Sequence, residues 1–280
     1  MQKRLTISFQ GERGAYSEEA AIERFGEFVD FNSRRTLREV FDDVDHRRSN
    51  VGVVPAENSI EGTITQTYDL LLATELKIVA ETVHLIRHSL LALPGVNLSD
   101  LKAVYSHPQA IAQCQSYLER LRLETIAWYD TAGAAKMVRE HRLENAGAIA
   151  GTRAAHIYDL RVLATDIQDY TENFTRFFVI GTETPDPTSH DKTSVIFGVK
   201  HEPGTLFKAL SVFADGRLNL TKIESRPIKG KPWEYYFYVD FEGHQDSKHV
   251  KEVLAALETR TTYLKVIGSY PQRAMVTAER

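Results

Sequence analysis

An α/β fold in two lobes, followed by a smaller ferredoxin-like unit, is what the sequence predicts, on three observations. Up to Gly181 the chain repeats a strand–loop–helix order, which argues for a largely parallel sheet. Residues 182–191 hold two prolines and no apolar side chain able to build a core, so they read as a linker. Residues 192–271 then give the order β-α-β-β-α-β, the ferredoxin-like arrangement.

Each element has a local cause. Leu5 to Phe9 alternates as a strand, and residues 11–17 turn it into a helix that Ser17 is placed to cap, with Glu18 and Glu19 in the first turn. Thr36 and Glu39 form a capping-box pattern ahead of Val40, Phe41 and Val44. Val51 to Pro55 is a continuous apolar run, as a parallel strand buried on both faces requires. A loop over 56–63 leads to a helix through Tyr68 to Leu72. Leu76 to Ala80 and His84 to Leu93 read as strands, the second changing direction between lobes. Ala103 to Ser106 is another strand, and Pro108 suits the first turn of a helix running to about Leu121. Residues 126–129 lead into Asp130-Thr131 and a helix to His141; residues 148–150 lead into Gly151-Thr152 and a helix carrying Ala154 and Ala155. Asn173 to Arg176 is polar and loop-like, and Phe177 to Gly181 a short apolar strand. In the last unit, strands are expected at 193–199, 220–225, 235–241 and 263–267, and helices at 204–214 and 250–257.

The 280 residues suffice for two domains with real cores, and 42% hydrophobic with 26% charged residues is an ordinary globular composition. A net charge of −4 supplies no general field for nucleic acid or an anionic membrane, so any anionic ligand is held by local donors. The single cysteine, Cys114, excludes an internal disulfide and points to a reducing, cytoplasmic compartment. The basic start is followed by too short an apolar run for a signal peptide, and no apolar run approaches the ~20 residues of a membrane span.

Ligands of open parallel sheets bind at the carboxyl ends of strands, where loops enter helices. Four such loops are rich in small donors: Tyr16 and Ser17; Asn58 and Ser59 with Thr63; Ser106 and His107; Asp130 and Thr131. Helix N-termini there favour an anion such as a carboxylate. Each of these residues is equally suited to be a helix cap. In Asn173-Phe174-Thr175-Arg176-Phe177-Phe178 a hydroxyl and a guanidinium stand side by side, one able to donate a hydrogen bond and the other to grip a carboxylate; the plain alternative is a strand entry with a surface arginine. No phosphate-loop, dinucleotide, metal-ligand or nucleophile-elbow pattern is present. Cys114 suits a core position, and His107 before Pro108 a turn.

Taken together, Gly14-Ala15-Tyr16-Ser17, residues 54–59 (VPAENS), residues 105–110 (YSHPQA) and residues 173–177 (NFTRF) stand in the order found in prephenate dehydratases. Ile223-Glu224-Ser225-Arg226-Pro227 is similar to the effector motif of the ACT domain attached to them. The resemblance spans about residues 5 to 271. It implies a two-lobed, periplasmic-binding-protein-like catalytic domain over 1–181, with lobes of about 1–80 plus 160–181 and 82–159, and an ACT regulatory domain over 192–271. The implied reaction converts prephenate to phenylpyruvate by loss of water and CO2, without cofactor or metal. Thr175 would assist the departing hydroxyl, as proton donor or hydrogen-bond donor, and Arg176 would hold a carboxylate. Asn58, Ser106 and Gln113 would fix the substrate, with Ser59, Thr63, Thr131, Tyr16 and Phe177 around it. Phenylalanine would bind the ACT unit between two chains at Gly204, Thr205, Leu206, Asn219, Leu220, Glu224 and Ser225. Phe207 stands where the family's glycine-alanine-leucine-valine stretch ends in valine, and Thr205 in place of its alanine. A homodimer or homotetramer is implied. Action on arogenate, or a non-catalytic sensor or solute binder, are the other readings open to the sequence.

Overall fold

The computed structural model describes residues 4–272, so the first three residues of the expected catalytic domain lie outside the described residues. Along the chain come β1 (Thr6–Gln10), α1 (Tyr16–Phe25), β2 (Asp30–Arg34), α2 (Leu37–Asp45), β3 (Val51–Asn58), β4 (Gly62–Thr63), α3 (Thr65–Ala73) and β5 (Lys77–Leu85). Next are β6 (Ser89–Ala92), β7 (Ala103–Ser106), α4 (Pro108–Gln113), α5 (Gln115–Leu121), β8 (Glu124–Ala127), α6 (Thr131–Glu140), β9 (Ala146–Ala150), α7 (Thr152–Ile157) and β10 (Arg161–Ala164). After β11 (Phe174–Gly181) follow β12 (Asp191–Gly198), α8 (Thr205–Asp215), β13 (Leu220–Pro227), β14 (Tyr235–Glu242), α9 (Lys248–Glu258) and β15 (Tyr263–Pro271). Two compact units result: residues 4–67 with 82–177, and residues 68–81 with 178–272.

Two sheets build the two lobes of the first unit. One has the order β2-β1-β3-β11-β5 with β4 against β3, and the other the order β10-β6-β9-β7-β8. β1 runs parallel to β2 and β3, and β7 parallel to β8 and β9. The second lobe's core is aliphatic and small-residue rich: Leu90, Leu91, Val104, Ala134, Ala148 and Ile149 are all at 0% exposure, so the helices sit close on the sheet. Cys114 belongs to it, its thiol pushed up to about 12 by burial, which makes it an inert packing residue.

Several boundaries differ from expectation for identifiable reasons. Arg161–Ala164 pairs antiparallel with Ser89–Ala92, so the second lobe extends past residue 159. The expected long helix after Pro108 breaks at Cys114, whose ψ of 17° leaves the helical range. Ala15, not Ser17, is the N-cap of α1; Glu18 instead reaches back to the Gly14 N–H at 2.6 Å. The capping box of Thr36 and Glu39 is present. Most consequential, β11 starts at Phe174, so Thr175 and Arg176 lie inside a strand rather than in a loop.

His84 on β5 is buried against α1, with Glu23 Oε1 2.9 Å from Nδ1 and Glu19 Oε2 3.4 Å from Nε2. Burial alone would lower its pKa, but the two carboxylates outweigh it and hold the imidazolium up to about 9. A raised folded value means that the stabilisation is complete below the unfolded value of 6.5 and is lost as pH rises through about 9. Thermal midpoints should therefore fall between those pH values, and His84→Gln should flatten that fall. Parallel curves for the two proteins would show that His84 contributes nothing.

The second unit has the ferredoxin-like sheet order β13-β14-β12-β15, with α8 and α9 on the core that includes Phe197, Phe213, Phe241 and Leu257. It also takes in residues 68–81, which the sequence placed wholly with the first lobe. Lys265 Nζ caps the end of α3, accepting geometry being offered by the carbonyls of Leu71 (3.3 Å), Leu72 (3.2 Å) and Thr74. Arg226 and Lys229 pair with Asp69, and Tyr68 packs edge-on to Tyr238 at 5.1 Å. Lys192 Nζ meets both oxygens of Glu81 at 3.0 and 3.3 Å, with both side chains almost fully buried. A Cβ at Gly268 would collide with the Ile78 backbone, which explains why glycine stands there.

Candidate active site

The end of β3 and the start of β11 form one wall of a cleft of about 560 Å³ in the first unit. Asn58 ends β3. Its Oδ1 accepts the N–H groups of Ile60 and Glu61 at 2.9 and 3.0 Å, so the amide cannot turn over. Its Nδ2 therefore faces β11 and donates to Thr175 Oγ1 at 2.9 Å and to Asn173 Oδ1 at 2.7 Å. A threonine oxygen that accepts from Asn58 keeps its own proton for another partner, and Thr175 lines the cleft.

Of the residues expected in the site, Tyr16, Asn58, Thr63, Gln113, Thr131, Thr175 and Phe177 line this cleft. Three do not. Strand alternation turns Arg176 away from Thr175 and Phe177, and its guanidinium lies 3.7 Å from Glu57. Arg176, expected to grip a substrate carboxylate, is thus outside the cleft lining in this arrangement. Ser106 is fully buried, its hydroxyl donating to the Ile149 carbonyl at 2.7 Å, so it braces the second lobe. Ser59 accepts from the Phe174 N–H at 2.9 Å and donates to the Glu172 carbonyl, tying the 58–59 turn to β11.

The cleft also contains residues the sequence did not single out: Gln10, Arg35, His88, Gln109 and Tyr129. Arg35 is, among the described lining residues, the one permanent cation; it stands 5.2 Å over the Tyr129 ring. The first turns of α1, α2, α3 and α6 contribute lining residues, so their positive ends add to the field there. Burial lowers the pKa of His88 and of His107, keeping both neutral at pH 7. His107 accepts the Gln109 N–H at 3.3 Å as the α4 cap, the turn role expected of it. Asp130 caps α6 through the Gly133 N–H at 2.6 Å; burial raises its carboxyl to about 6, against the pull of that hydrogen bond. No group of three or more His, Cys, Asp or Glu side chains is arranged to hold a metal among the described residues.

In the second unit Gly204, Thr205 and Leu206 line a smaller hollow of about 290 Å³ with Phe207, Trp233 and Tyr235. Gly204 has φ of 80° at the N-cap of α8, a conformation that favours glycine. Asn219, Leu220, Glu224 and Ser225 do not line that hollow: Asn219 immediately precedes β13, an edge strand of the sheet, and the other three lie along it. A single chain thus leaves the two halves of the expected effector set apart.

Fold and cleft together define a two-lobed α/β unit whose cleft suits a small anion, carried with a ferredoxin-like unit. Comparison with known proteins makes this specific. The prephenate dehydratase family model matches residues 7–185 and the ACT domain model residues 193–259. A bifunctional chorismate mutase/prephenate dehydratase of Aquifex aeolicus is 43% identical over 274 residues, 97% of this chain and 75% of that protein. Arogenate dehydratase 2 of Petunia hybrida is 45% identical over 286 residues, 96% of this chain and 72% of that protein. Two solved structures superpose with a TM-score of 0.87 at 31% identity over 96% of this chain. One is prephenate dehydratase of Arthrobacter aurescens in complex with L-Phe, 90% of which is covered; the other is GqqA, described as a quorum quenching acylase, 98% of which is covered. The chain belongs to the prephenate dehydratase family of lyases and carries an ACT domain.

Proposed function

We propose that the chain performs the decarboxylating dehydration of prephenate to phenylpyruvate in phenylalanine biosynthesis, in the cleft beside Thr175. The observation that carries this site assignment is the bond from Asn58 Nδ2 to Thr175 Oγ1, which leaves the threonine proton for the substrate. In the reaction the bond from the ring to its carboxylate breaks, CO2 departs, and that electron pair completes the aromatic ring. The ring hydroxyl leaves from the far side and takes up one proton to become water. A threonine hydroxyl is too weak an acid to be tuned near pH 7, so Thr175 serves as a preorganised donor to the negative charge growing on the departing oxygen. Arg35 and the helix N-termini hold the carboxylates.

Incubation with prephenate should give the absorbance of phenylpyruvate, and its absence would end this reading. Arg35→Gln should raise KM about tenfold with kcat little changed, the loss expected for one charge-assisted bond formed equally in ground and transition states. A KM unaltered by that change would leave the carboxylates to the helix ends alone.

A second reading, action on arogenate, is favoured by one feature: Asp130 offers a carboxylate to the α-ammonium that arogenate carries in place of the keto group. Paired assays separate the two, and Asp130→Asn should weaken turnover of arogenate more than that of prephenate. For the domains, residues 1–181 would be catalytic and 192–271 regulatory. Phenylalanine would bind at the hollow of Gly204, Thr205 and Leu206, completed by Asn219, Leu220, Glu224 and Ser225 of a second copy in a homodimer or homotetramer. Calorimetry on the intact protein with phenylalanine tests this, and no heat of binding would refute it. A reducing cytoplasm suits a chain whose single cysteine is a buried free thiol. No helix among the described residues is long and apolar enough to cross a membrane.

A further inference from the structure

Behind Thr175 stand three amides and an imidazole, each oriented by the next. Asn58 is fixed by the N–H groups of Ile60 and Glu61 and presents Nδ2 to Asn173 Oδ1. Asn173 must then turn its own Nδ2 the other way, where it donates to Gln113 Oε1 at 2.9 Å. Gln113 Oε1 is thereby an acceptor. The second group on that oxygen, His88 Nε2 at 2.9 Å, has to be a donor. Gln113 thus sets the tautomer of the neutral ring, hydrogen on Nε2 and a lone pair on Nδ1; the Tyr16 hydroxyl stands 2.7 Å from that Nδ1 and 3.0 Å from the Arg87 carbonyl, so its one proton is shared between two acceptors. All five side chains from Thr175 to His88 are less than a tenth exposed, so each depends chiefly on its neighbours for hydrogen bonds.

We propose that His88 is a positioning residue for the dehydration: through Gln113, Asn173 and Asn58 its Nε2–H keeps the Thr175 hydroxyl proton aimed at the departing group. The proposal rests on the reading of Thr175 given above. With hydrogen on Nδ1 instead, Gln113 would turn its NH2 to His88 and meet the NH2 of Asn173. Asn173 could not turn in response, because Asn58 is locked by backbone N–H groups. Two donors would then face each other, and the asparagine pair would relax by giving up Thr175.

Prephenate kinetics of His88→Leu, His88→Gln, Thr175→Ala and the His88→Leu/Thr175→Ala pair provide the test. His88→Leu should lower kcat about 10–30-fold with KM within about threefold, the scale of one buried donor lost. His88→Gln, which can bring an N–H near the place of Nε2, should recover most of that rate. In the Thr175→Ala background, His88→Leu should cost less than about twofold more, because its effect runs through the missing hydroxyl. An equal loss in both backgrounds would overturn the relay while leaving Thr175 in place. Full activity of Thr175→Ala would instead overturn the reading on which the relay rests. Should His88→Leu not fold, the ring nitrogens of the intact protein decide by long-range ¹H–¹⁵N spectra: the Nε2–H tautomer is expected, and the Nδ1–H tautomer would refute the proposal.

Discussion

Thr175→Ala should lower kcat by about 10²–10³-fold, the cost of removing one preorganised donor to a developing oxyanion. KM should move little, since the hydroxyl acts on charge that appears only in the transition state. Thr175→Ser keeps the oxygen, and the Asn58 bond can form again, but without the branched Cβ its rotamer is held less firmly. It should retain activity to within about tenfold. Neither change should lower the thermal midpoint greatly, because Thr175→Ser loses one methyl and Thr175→Ala one methyl and one hydroxyl, while Asn58 keeps Asn173 as a partner. Single-turnover measurement of phenylpyruvate formation isolates the chemical step, and a near-normal rate for the alanine variant would remove Thr175 from the reaction.

The largest stability effect is expected at Lys192. Its ammonium is buried against Glu81, and the two residues are 111 positions apart in the chain. Lys192→Met should destabilise the second unit by about 3–5 kcal/mol, because it removes the buried ammonium that lies 3.0 Å from the Glu81 carboxylate. Replacing both partners, Lys192→Met with Glu81→Leu, should recover most of that loss, since the cost lies in removing one charge of a buried pair and not the other. Urea unfolding of the full chain with the three variants measures this cycle. A single variant within about 1 kcal/mol of the starting protein would mean that water reaches Glu81 and the pair behaves as an exposed one.

How much of the site was legible depended on whether a residue's direction was fixed locally. Asn58, Thr63 and Thr131 sit where a strand ends or a helix begins, and short motifs mark such places; Gln113 ends α4. Arg176 faces away from the cleft for a physical reason. The polar stretch before Phe177 suggested a loop in which neighbours can point the same way, but β11 begins at Phe174 and its pleat sends Thr175 and Arg176 to opposite faces. Ser106 is likewise turned inward, its hydroxyl on the Ile149 carbonyl. His88 left only a faint trace in the sequence, a polar residue just before the apolar strand Ser89–Ala92. Arg35 directly precedes the capping box of Thr36 and Glu39, and no local pattern sets its direction.

By itself the sequence determined the α/β order of the first unit, the βαββαβ order of the second, the capping box at Thr36, and the motifs that carry the family. Those follow from periodicity, caps and short patterns, which act over a few residues. Only the tertiary structure decided which cation enters the cleft, that residues 68–81 pack within the C-terminal unit, and that His88 is wired to Thr175. Such features depend on strand register and on hydrogen bonds between residues dozens of positions apart, and no local pattern specifies either.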